Sequence, residues 1–250
     1  MRLTGSIHLI GGGVWGGLGL SPGPDCNVYL VECGDGSAVM IDTGSGLPGS
    51  VDAIAGHVEE AGFRPEDIRA ILLTHMHGDH AGGALRFAEM TGAEVHASEL
   101  TARVLATGDE ETSSVALART AGVFPSDFKL LPVAGMNSIA EGDRLEFGDA
   151  SFDVYETPGH CAGHLSFLLS ASGRRDMIAG DVVFWRGRVL MQATPDCDPA
   201  ALAASLAKLA GLGQVDGLFS GHGAFVLSGA NRHLDEAASH ARQLRIPPGV

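Results

Sequence analysis

The sequence lacks the cysteine pattern of a disulfide-stabilised secreted domain. It has four cysteines in 250 residues and no C-x-x-C pair among them, and a chain of this size does not depend on a disulfide framework. We therefore predict free thiols in the reducing environment of the cytoplasm. The four residues are Cys26, Cys33, Cys161 and Cys197.

Long apolar runs and an excess of positive charge are also absent. No apolar run approaches the roughly 18 residues of a membrane span, and residues 1–10 are too polar and too short for a secretion signal. We predict neither a membrane anchor nor export. Only 16 Lys and Arg residues stand against 30 Asp and Glu residues, and the net charge of −14 opposes nucleic acid phosphates. A small-molecule partner is predicted instead, although bound divalent cations would locally reverse the negative field.

The hydrophobic content is sufficient for one folded domain. With 45% hydrophobic residues, the 250-residue chain can bury a large core, and α/β folds of this length often stay undivided. We predict a single domain over residues 1–250. No heptad pattern or long exposed apolar helix marks a subunit interface, so the sequence leaves the oligomeric state open.

The glycine-rich segment 11–20 does not have the features of a phosphate-binding loop. Neither Lys-Ser nor Lys-Thr follows it, and no helical pattern begins there. We predict instead a flap that carries Trp15 and Leu18 over a substrate. Phe184 and Trp185 are predicted to add an apolar wall to the same pocket.

The most informative feature of the sequence is the segment Thr74–His80. It places three histidines and one aspartate directly after the apolar, strand-like residues 70–73. Neutral imidazole and carboxylate are preferred ligands of zinc and similar divalent cations, and a core strand gains nothing from ending in them. The strand is therefore predicted to deliver these side chains to a metal.

The order of residues within this segment predicts two ions rather than one. Side chains alternate along an extended chain, so His75 and His77 can share one ion. Gly78 then allows the backbone to turn. Asp79 and His80 are thereby free to face a second ion.

Three later segments follow a common order of strand, glycine and possible ligand. Glycine beside a ligand allows the close backbone approach that a crowded metal pocket requires. Each signal is weak alone, but the three together supply the donors that one loop cannot. The possible ligands are His160, Asp181 and His222.

Together these motifs resemble the metallo-β-lactamase fold superfamily, whose members carry His-x-His-x-Asp-His followed by a His, an Asp and a final His. The resemblance covers about residues 5–245. It implies an α/β fold, a four-layer αββα sandwich, with the site at one edge between two sheets. It also includes Val39–Gly44, where Asp42 is implied to brace the metal loop from outside the ligand set.

The resemblance further implies two Zn²⁺ ions per chain, or alternatively iron or manganese. The implied ligands are His75, His77 and His160 for the first ion, Asp79, His80 and His222 for the second ion, and Asp181 as the bridge between them.

The implied reaction is hydrolysis of a carbonyl substrate: a lactone, an ester or a thioester. A hydroxide bridging the two ions would attack the carbonyl, because metal binding pulls the pKa of water down toward about 7. Asp79 or a bound water would deliver a proton to the leaving group. No serine or cysteine nucleophile is required.

Other activities of the superfamily remain as alternatives. The main rival is a mononuclear iron persulfide dioxygenase, in which His160 would complete an iron site. Phosphodiester or nucleic acid hydrolysis is disfavoured by the charge, and Asp181 stands where true β-lactamases tend to have Cys or Ser. A glutathione conjugate is disfavoured because only one helix, at about 229–245, is predicted after His222.

Two residues next to the implied ligands are expected to lie outside the ligand set. His164 lies in a loop, since Pro158 and Gly159 precede it and a strand follows it. We expect it to form a hydrogen bond outside the ligand set rather than to bind metal. Cys161 directly follows His160, but a buried thiol is the more common outcome for such a residue.

Residues 98–136 are predicted to form a helical insertion with helices at about 99–106 and 112–121. Such an insertion either packs on the outer face or covers the site as a lid, and the sequence favours neither. Elsewhere strands alternate with helices in both halves of the chain. Strands are predicted at 28–32, 38–41, 68–73, 145–147, 152–155, 165–169 and 177–179, and helices at 50–61, 81–90 and 199–210.

Overall fold

Two β-sheets form the centre of the fold in a computed structural model that describes residues 1–15, 18–243 and 248–250. The first sheet has six strands in sequential order, with the first three antiparallel and the rest joined in parallel. Its strands are β1 Ile7–Gly11, β2 Val28–Glu32, β3 Ala38–Ile41, β4 Ile68–Leu72, β5 Glu94–Ala97 and β6 Asn137–Ser138.

The second sheet has five strands in the order β11-β10-β9-β8-β7. All neighbours are antiparallel except β10 and β11, which run parallel. Its strands are β7 Arg144–Phe147, β8 Ala150–Glu156, β9 Leu165–Ala171, β10 Arg174–Gly180 and β11 Gly217–Ser220.

Helices cover the outer faces of both sheets. Asp198 caps the helix that begins at Pro199, because its side chain accepts hydrogen bonds from the backbone N–H groups of Ala200 and Ala201. The helices are α1 Ser50–Glu60, α2 Gly78–Ala81, α3 Ala84–Thr91, α4 Glu99–Thr107, α5 Val115–Thr120, α6 Pro199–Ala210 and α7 Asn231–Arg242, with short 3₁₀ turns at Pro65–Asp67 and Trp185–Gly187.

The alternation of side chains along β3 shows how the layers are built. Val39 and Ile41 join the apolar cluster between the two sheets, whereas Ala38 and Met40 join the cluster under the helices of the first sheet. A strand buried on both faces reads as a continuous apolar run, as this one does. A third cluster lies between the second sheet and α6 and α7. The predicted four-layer αββα sandwich is confirmed.

One predicted element differs from the structure. The single helix expected at 81–90 is two helices, α2 and α3, that meet at Gly82 and Gly83. A Cβ at Gly82 would lie 2.2 Å from the carbonyl oxygen of Ser45, and a Cβ at Gly83 would lie 2.4 Å from that of Thr43. The backbone therefore packs directly on the loop after β3, which sequence periodicity could not reveal.

The insertion at 98–136 packs on the first sheet on one side and borders the site on the other. Phe124 and Phe128 stack with ring centroids 4.2 Å apart and belong to the core cluster under the first sheet. Leu117, on α5, is 47% exposed and lines a small cleft beside the metal loop. One side of the insertion is thus packing, and the other is a wall of the site.

None of the helices in the described part of the chain is both long enough and apolar enough to span a lipid bilayer.

Candidate metal centre

The loop after β4 holds the first ligands because its backbone is fixed by Asp42. This aspartate follows the neighbouring parallel strand β3, and its Oδ1 accepts a hydrogen bond from the backbone N–H of Thr74 at 2.8 Å. Adjacent parallel strands end at the same edge of a sheet, so the two segments meet there. The loop is thereby pinned just before its first histidine.

The first cluster consists of three buried imidazoles. His75 Nε2 lies 3.0 Å from His77 Nδ1, and His160 Nε2 lies 3.0 Å from the same His77 nitrogen. His75 and His160 are fully buried, and His77 is 6% exposed. His160 comes from the loop between β8 and β9, so this cluster joins the two sheets.

The second cluster lies beside the first one. Asp79 Oδ2 is 3.1 Å from His222 Nε2, and His80 Nε2 is 3.3 Å from that same nitrogen and 3.7 Å from Asp79 Oδ2. His222 follows β11, which again brings the second sheet to the metal loop. All three predicted donors of the second ion are therefore in one place.

Asp181 lies between the two clusters. Its Oδ2 is 3.6 Å from His160 Nε2 on one side and 3.4 Å from His222 Nε2 on the other, and its Oδ1 is 3.5 Å from His80 Nε2. The residue is 1% exposed, and its Oδ1 accepts no hydrogen bond from the described residues. A buried carboxylate oxygen without a donor is costly, so a ligand at this point is indicated.

The separations between donors fit zinc. Two ligand atoms each about 2.1 Å from one ion at the tetrahedral angle are about 3.4 Å apart. Donor atoms of His75 and His160 each lie 3.0 Å from His77 Nδ1, and the three donor pairs of the second cluster are separated by 3.1 to 3.7 Å. Imidazole and carboxylate also match the preference of zinc for nitrogen and oxygen donors. The donor set present in the chain therefore fits two divalent cations.

Outer hydrogen bonds orient the ligands of the metal loop. Asp42 Oδ2 accepts from His80 Nδ1 at 2.8 Å and from the Thr74 hydroxyl at 2.8 Å. The Thr74 hydroxyl also lies 2.9 Å from His75 Nδ1. A metal-binding histidine needs such a partner on its other nitrogen, because the partner fixes the tautomer and the ring orientation. Asp42 thus holds both the backbone before the metal loop and one of its histidines, the position that the resemblance implies for it.

His164 supports Asp181 from behind. Its Nε2 accepts a hydrogen bond from the backbone N–H of Asp181 at 3.0 Å, which places its proton on Nδ1, 2.9 Å from the Thr157 hydroxyl. Burial holds the pKa of His164 well below its usual value, so the ring is neutral. His164 therefore positions the segment around Asp181, and neither of its nitrogens is free for a metal.

Glycines make room for this packing, as their place before the ligands predicts. Gly180 has a φ of 52°, and a Cβ there would lie 2.5 Å from His164 Nε2. A Cβ at Gly221 would lie 2.1 Å from Asp181 Oδ1. No larger residue fits at either position without moving the carboxylate or its support.

The histidines of the centre differ in their pKa values and therefore in their charge. Burial and the neighbouring His160 lower the pKa of His77 to about 4, so this ligand is neutral at physiological pH. Burial also disfavours the charged form of His222, but the carboxylates of Asp181 and Asp79 outweigh it and raise its pKa to about 9. Without a metal ion, the protonated His222 balances the negative charge of Asp79 and Asp181. A bound cation would take over this role and displace the proton.

Metal binding at the second cluster is expected to weaken as the pH falls. Below about pH 9, His222 carries a proton that must leave before its Nε2 can bind an ion. The apparent affinity should therefore fall about tenfold per pH unit for each displaced proton. Calorimetric titration with zinc at pH 6 to 9, in two buffers of different ionisation enthalpy, measures both the affinity and the proton release. An affinity independent of pH over this range would contradict the assignment of His222 as a ligand.

A cavity of about 610 Å³ opens onto the second cluster. Asp79 and His222 lie at its base, and the three residues predicted for a substrate pocket, Trp15, Phe184 and Trp185, all line it. The rest of its lining is Val123, Arg188, Leu190, Gln192, Gly223, Ala224 and Val250. A smaller cleft of about 170 Å³ continues from it between the metal loop and the helical insertion.

The predicted flap is only partly described. Trp15 is held at the cavity because its carbonyl oxygen accepts from the backbone N–H of Gly223 at 3.2 Å, and its ring meets His222 edge-on at 6.1 Å. Leu18 is exposed and does not line the cavity. Gly16 and Gly17 of the flap lie outside the described residues.

Several site residues have no role assigned from the sequence. Thr74 stands inside the histidine motif, but a hydroxyl there signals nothing until Asp42 is placed beside it. Arg188 and Gln192 line the cavity from an irregular segment in which no periodic pattern could single them out.

Two cysteines also come close to the ligands. Cys161 lies with donor atoms of His75 and His77 inside a 4.8 Å group, and Cys26 does so with Asp42 and His80. All four cysteines of the chain are free thiols. Burial raises the pKa of Cys26 to about 12, which keeps it a neutral thiol beside the metal loop.

An αββα sandwich with a histidine and aspartate donor set at the edge between its sheets defines a protein that binds divalent metal ions. A family model described as the metallo-beta-lactamase superfamily matches residues 22–222. The chain therefore belongs to the metallo-beta-lactamase superfamily.

Relatives in this family include two thioesterases. The chain is 32% identical over 174 residues to the human acyl-coenzyme A thioesterase MBLAC2, covering 65% of this chain and 60% of that protein. It is 29% identical over 166 residues to an atrochrysone carboxyl ACP thioesterase of Aspergillus chevalieri, covering 66% and 42%. Other relatives of about 30% identity carry the name lactamase-like protein. The chain spans about half the length of the curated relatives it matches.

Solved structures show the same fold. MEM-A1, a subclass B3 metallo-beta-lactamase isolated from a soil metagenome library, superposes with a TM-score of 0.70 at 25% identity over 98% of this chain and 94% of that chain.

Proposed function

We propose that the chain is a dinuclear zinc hydrolase that cleaves thioesters, within the broader class of thioester, ester and lactone substrates. One observation carries the proposal: the carboxylate of Asp181 lies 3.4 to 3.6 Å from donors of both clusters. Two adjoining sets of donors that share a carboxylate favour two ions over one. Relatives that are named thioesterases support the substrate class.

Zinc in this position would supply, from a bound water, a nucleophile that is ionised near neutral pH, and it would polarise the substrate carbonyl. The chain's own residues do the rest. Asp42, Thr74 and His164 hold the ligands so that the nucleophile needs no rearrangement to attack. The apolar wall formed by Phe184 and Trp185 excludes water from the acyl group.

Asp79 is the residue proposed to handle the proton. It lines both cavities, and its side chain is 15% exposed, so it faces the substrate as well as the second cluster. Burial alone would raise the pKa of Asp79, but the neighbouring His80 and His222 outweigh burial and hold this pKa below its usual value. The carboxylate is therefore ionised at neutral pH. Its Oδ atoms can take the proton of the attacking water and return it to the leaving thiolate.

The alternative of a mononuclear iron persulfide dioxygenase would reuse His75, His77 and Asp181 and complete its iron site with His160. It assigns no role to the assembly of Asp79, His80 and His222, whose donor atoms lie 3.1 to 3.7 Å apart. Phosphodiester hydrolysis is disfavoured by the net charge of −14.

A substrate panel on protein loaded with zinc tests the proposal. Thioesters, lactones, phosphodiesters and β-lactams are assayed together with metal analysis of the purified protein. We expect thioester turnover with about two zinc ions per chain, and loss of turnover when a chelator removes the metal. One iron per chain with oxygen uptake would establish the dioxygenase instead, and turnover of β-lactams alone would overturn the substrate class.

Three further properties belong to this proposal. The substrate is a small molecule, and we keep the prediction of one domain over residues 1–250, which is supported by a core cluster shared between the sheets. A cytoplasmic location is supported by four cysteines that all remain thiols.

A further inference from the structure

The segment 184–190 places Arg188 in the lining of the large cavity. We call it the arginine turn; it includes the 3₁₀ turn Trp185–Gly187 after β10. Arg188 is exposed and lines the cavity together with Asp79 and His222. It is the one Lys or Arg residue in the described lining of this cavity.

The arginine turn is held firmly in place. The backbone N–H of Phe184 donates to the carbonyl oxygen of Arg188 at 2.9 Å, which closes the turn. The backbone N–H of Arg186, at a φ of 61°, donates to His233 Nδ1 of α7 at 2.9 Å. A left-handed conformation at a residue other than glycine costs free energy, so it persists only where the surroundings impose it. Close packing on α7 does so here, since a Cβ at Gly187 would lie 2.6 Å from the backbone nitrogen of Ala237.

The same turn is tied directly to the metal centre. Leu190 lies two residues after Arg188, and its carbonyl oxygen lies 3.0 Å from Nδ1 of His160. The ligand of the first ion and the cavity cation are therefore linked by a few atoms of backbone. A substrate group held by Arg188 would be held at a set distance from the reacting carbonyl.

The protein does not neutralise this cation. Arg188 forms no ion pair with any residue in the ranges 1–15, 18–243 and 248–250. The neighbouring Arg186 is engaged differently, since its guanidinium stacks 4.3 Å over the ring of Trp185.

We propose that Arg188 is a specificity residue that binds an oxyanion of the substrate, a carboxylate or a phosphate, while the thioester carbonyl lies over the two metal clusters. The planar fork of arginine matches both oxyanions with paired hydrogen bonds. The inference rests on the proposed function for its kinetic test. The oxyanion belongs either to the acyl group or to the thiol carrier of the substrate. Thioesters that carry a negative charge on only one of these two parts distinguish the two sources.

Three thioesters form the kinetic test. Butyryl-N-acetylcysteamine is neutral, glutaryl-N-acetylcysteamine carries a carboxylate on the acyl side, and butyryl-coenzyme A carries phosphates on the thiol side. We expect Arg188→Gln to lower kcat/KM about 10- to 100-fold for one of the two anionic substrates, mainly through KM, since charge-assisted hydrogen bonds are among the stronger ones. The neutral substrate should change by less than about twofold, and Arg188→Lys should recover part of the loss. Arg86→Gln, an exposed arginine on α3 away from the cavity, is the matched control.

A binding test keeps the inference separate from the proposed function. Trp15 and Trp185 are the only tryptophans of the chain and both line the cavity, so intrinsic fluorescence reports its occupancy. The probes are the products: coenzyme A against pantetheine, and glutarate against butyrate. We expect the anionic member of one pair to bind more tightly, and Arg188→Gln to remove that preference.

The outcomes distinguish two failures. If no thioester is hydrolysed but Arg188→Gln still abolishes the preference for one anionic product, the proposed function is wrong and the oxyanion site stands. If thioesters are hydrolysed with equal loss for neutral and anionic substrates in Arg188→Gln, or with no loss at all, the oxyanion site is wrong and the hydrolase stands.

Discussion

Asp79→Ala is expected to reduce thioester hydrolysis by about 10² to 10⁴, the usual contribution of a positioned acid or base. The first ion should remain bound, because Asp79 contacts His222 at 3.1 Å and His80 at 3.7 Å and belongs to the second cluster. Metal analysis of the variant should therefore show loss of about one zinc equivalent while the other is kept. Asp79→Asn, which keeps the shape and one ligand oxygen, should lose turnover with a smaller loss of metal.

Asp127→Ala is the control for this experiment. Asp127 is an exposed aspartate of the helical insertion, outside both cavity linings. Its replacement should leave turnover and metal content unchanged. Full activity of Asp79→Ala at normal zinc occupancy would contradict the proposed two-ion mechanism.

Asp181→Asn is expected to have the largest effect on metal content. This residue lies within 3.6 Å of His160, His80 and His222, so it is the donor placed to serve both ions. Loss of its charge removes the negative partner of two clusters at once. Since even residues outside the ligand set change metal affinity by about 10- to 100-fold, we expect at least that loss at both sites, and turnover near the uncatalysed level. Titration with zinc and a competing chelator measures both affinities.

His160→Ala is the comparison variant for Asp181→Asn, because it is expected to affect only one of the two metal sites. His160 touches the first cluster at His77 and is not among the donors of the second one. Its replacement should empty the first site and leave the second occupied. The Asp79 variant should thus lose the second ion and the His160 variant the first ion. The Asp181 variant should lose both. Equal metal content in Asp181→Asn and His160→Ala would rule out a shared carboxylate.

The centre could be predicted in part from the sequence because four of its seven candidate donors lie in one short segment. Three histidines and an aspartate within 74–80 can be assigned to a metal from their chemistry and from the strand before them. The glycines before Asp181 and His222 were a weaker signal, yet the packing around Gly180 and Gly221 gives it a physical basis.

Other features depend on contacts that no local pattern contains. Thr74 matters because Asp42, from another strand, accepts its hydroxyl proton. The break between α2 and α3 follows from the contact of Gly82 with the Ser45 carbonyl. Arg188 lies in an irregular turn held by α7. Each case joins segments that are distant in sequence, so it becomes visible only after the chain is folded.

The sequence alone determined the α/β class, the alternation of strands and helices, the acidic surface and the chemical nature of the metal ligands. These depend on composition and on periodicity over a few residues, where side-chain direction follows from the backbone itself. The tertiary structure decided which donor atoms lie next to one another, where Asp181 lies between the two clusters, and which cationic side chain lines the cavity. Those relations depend on the pairing of strands in two sheets and on the packing of one sheet against the other, because only packing sets distances between residues a hundred positions apart.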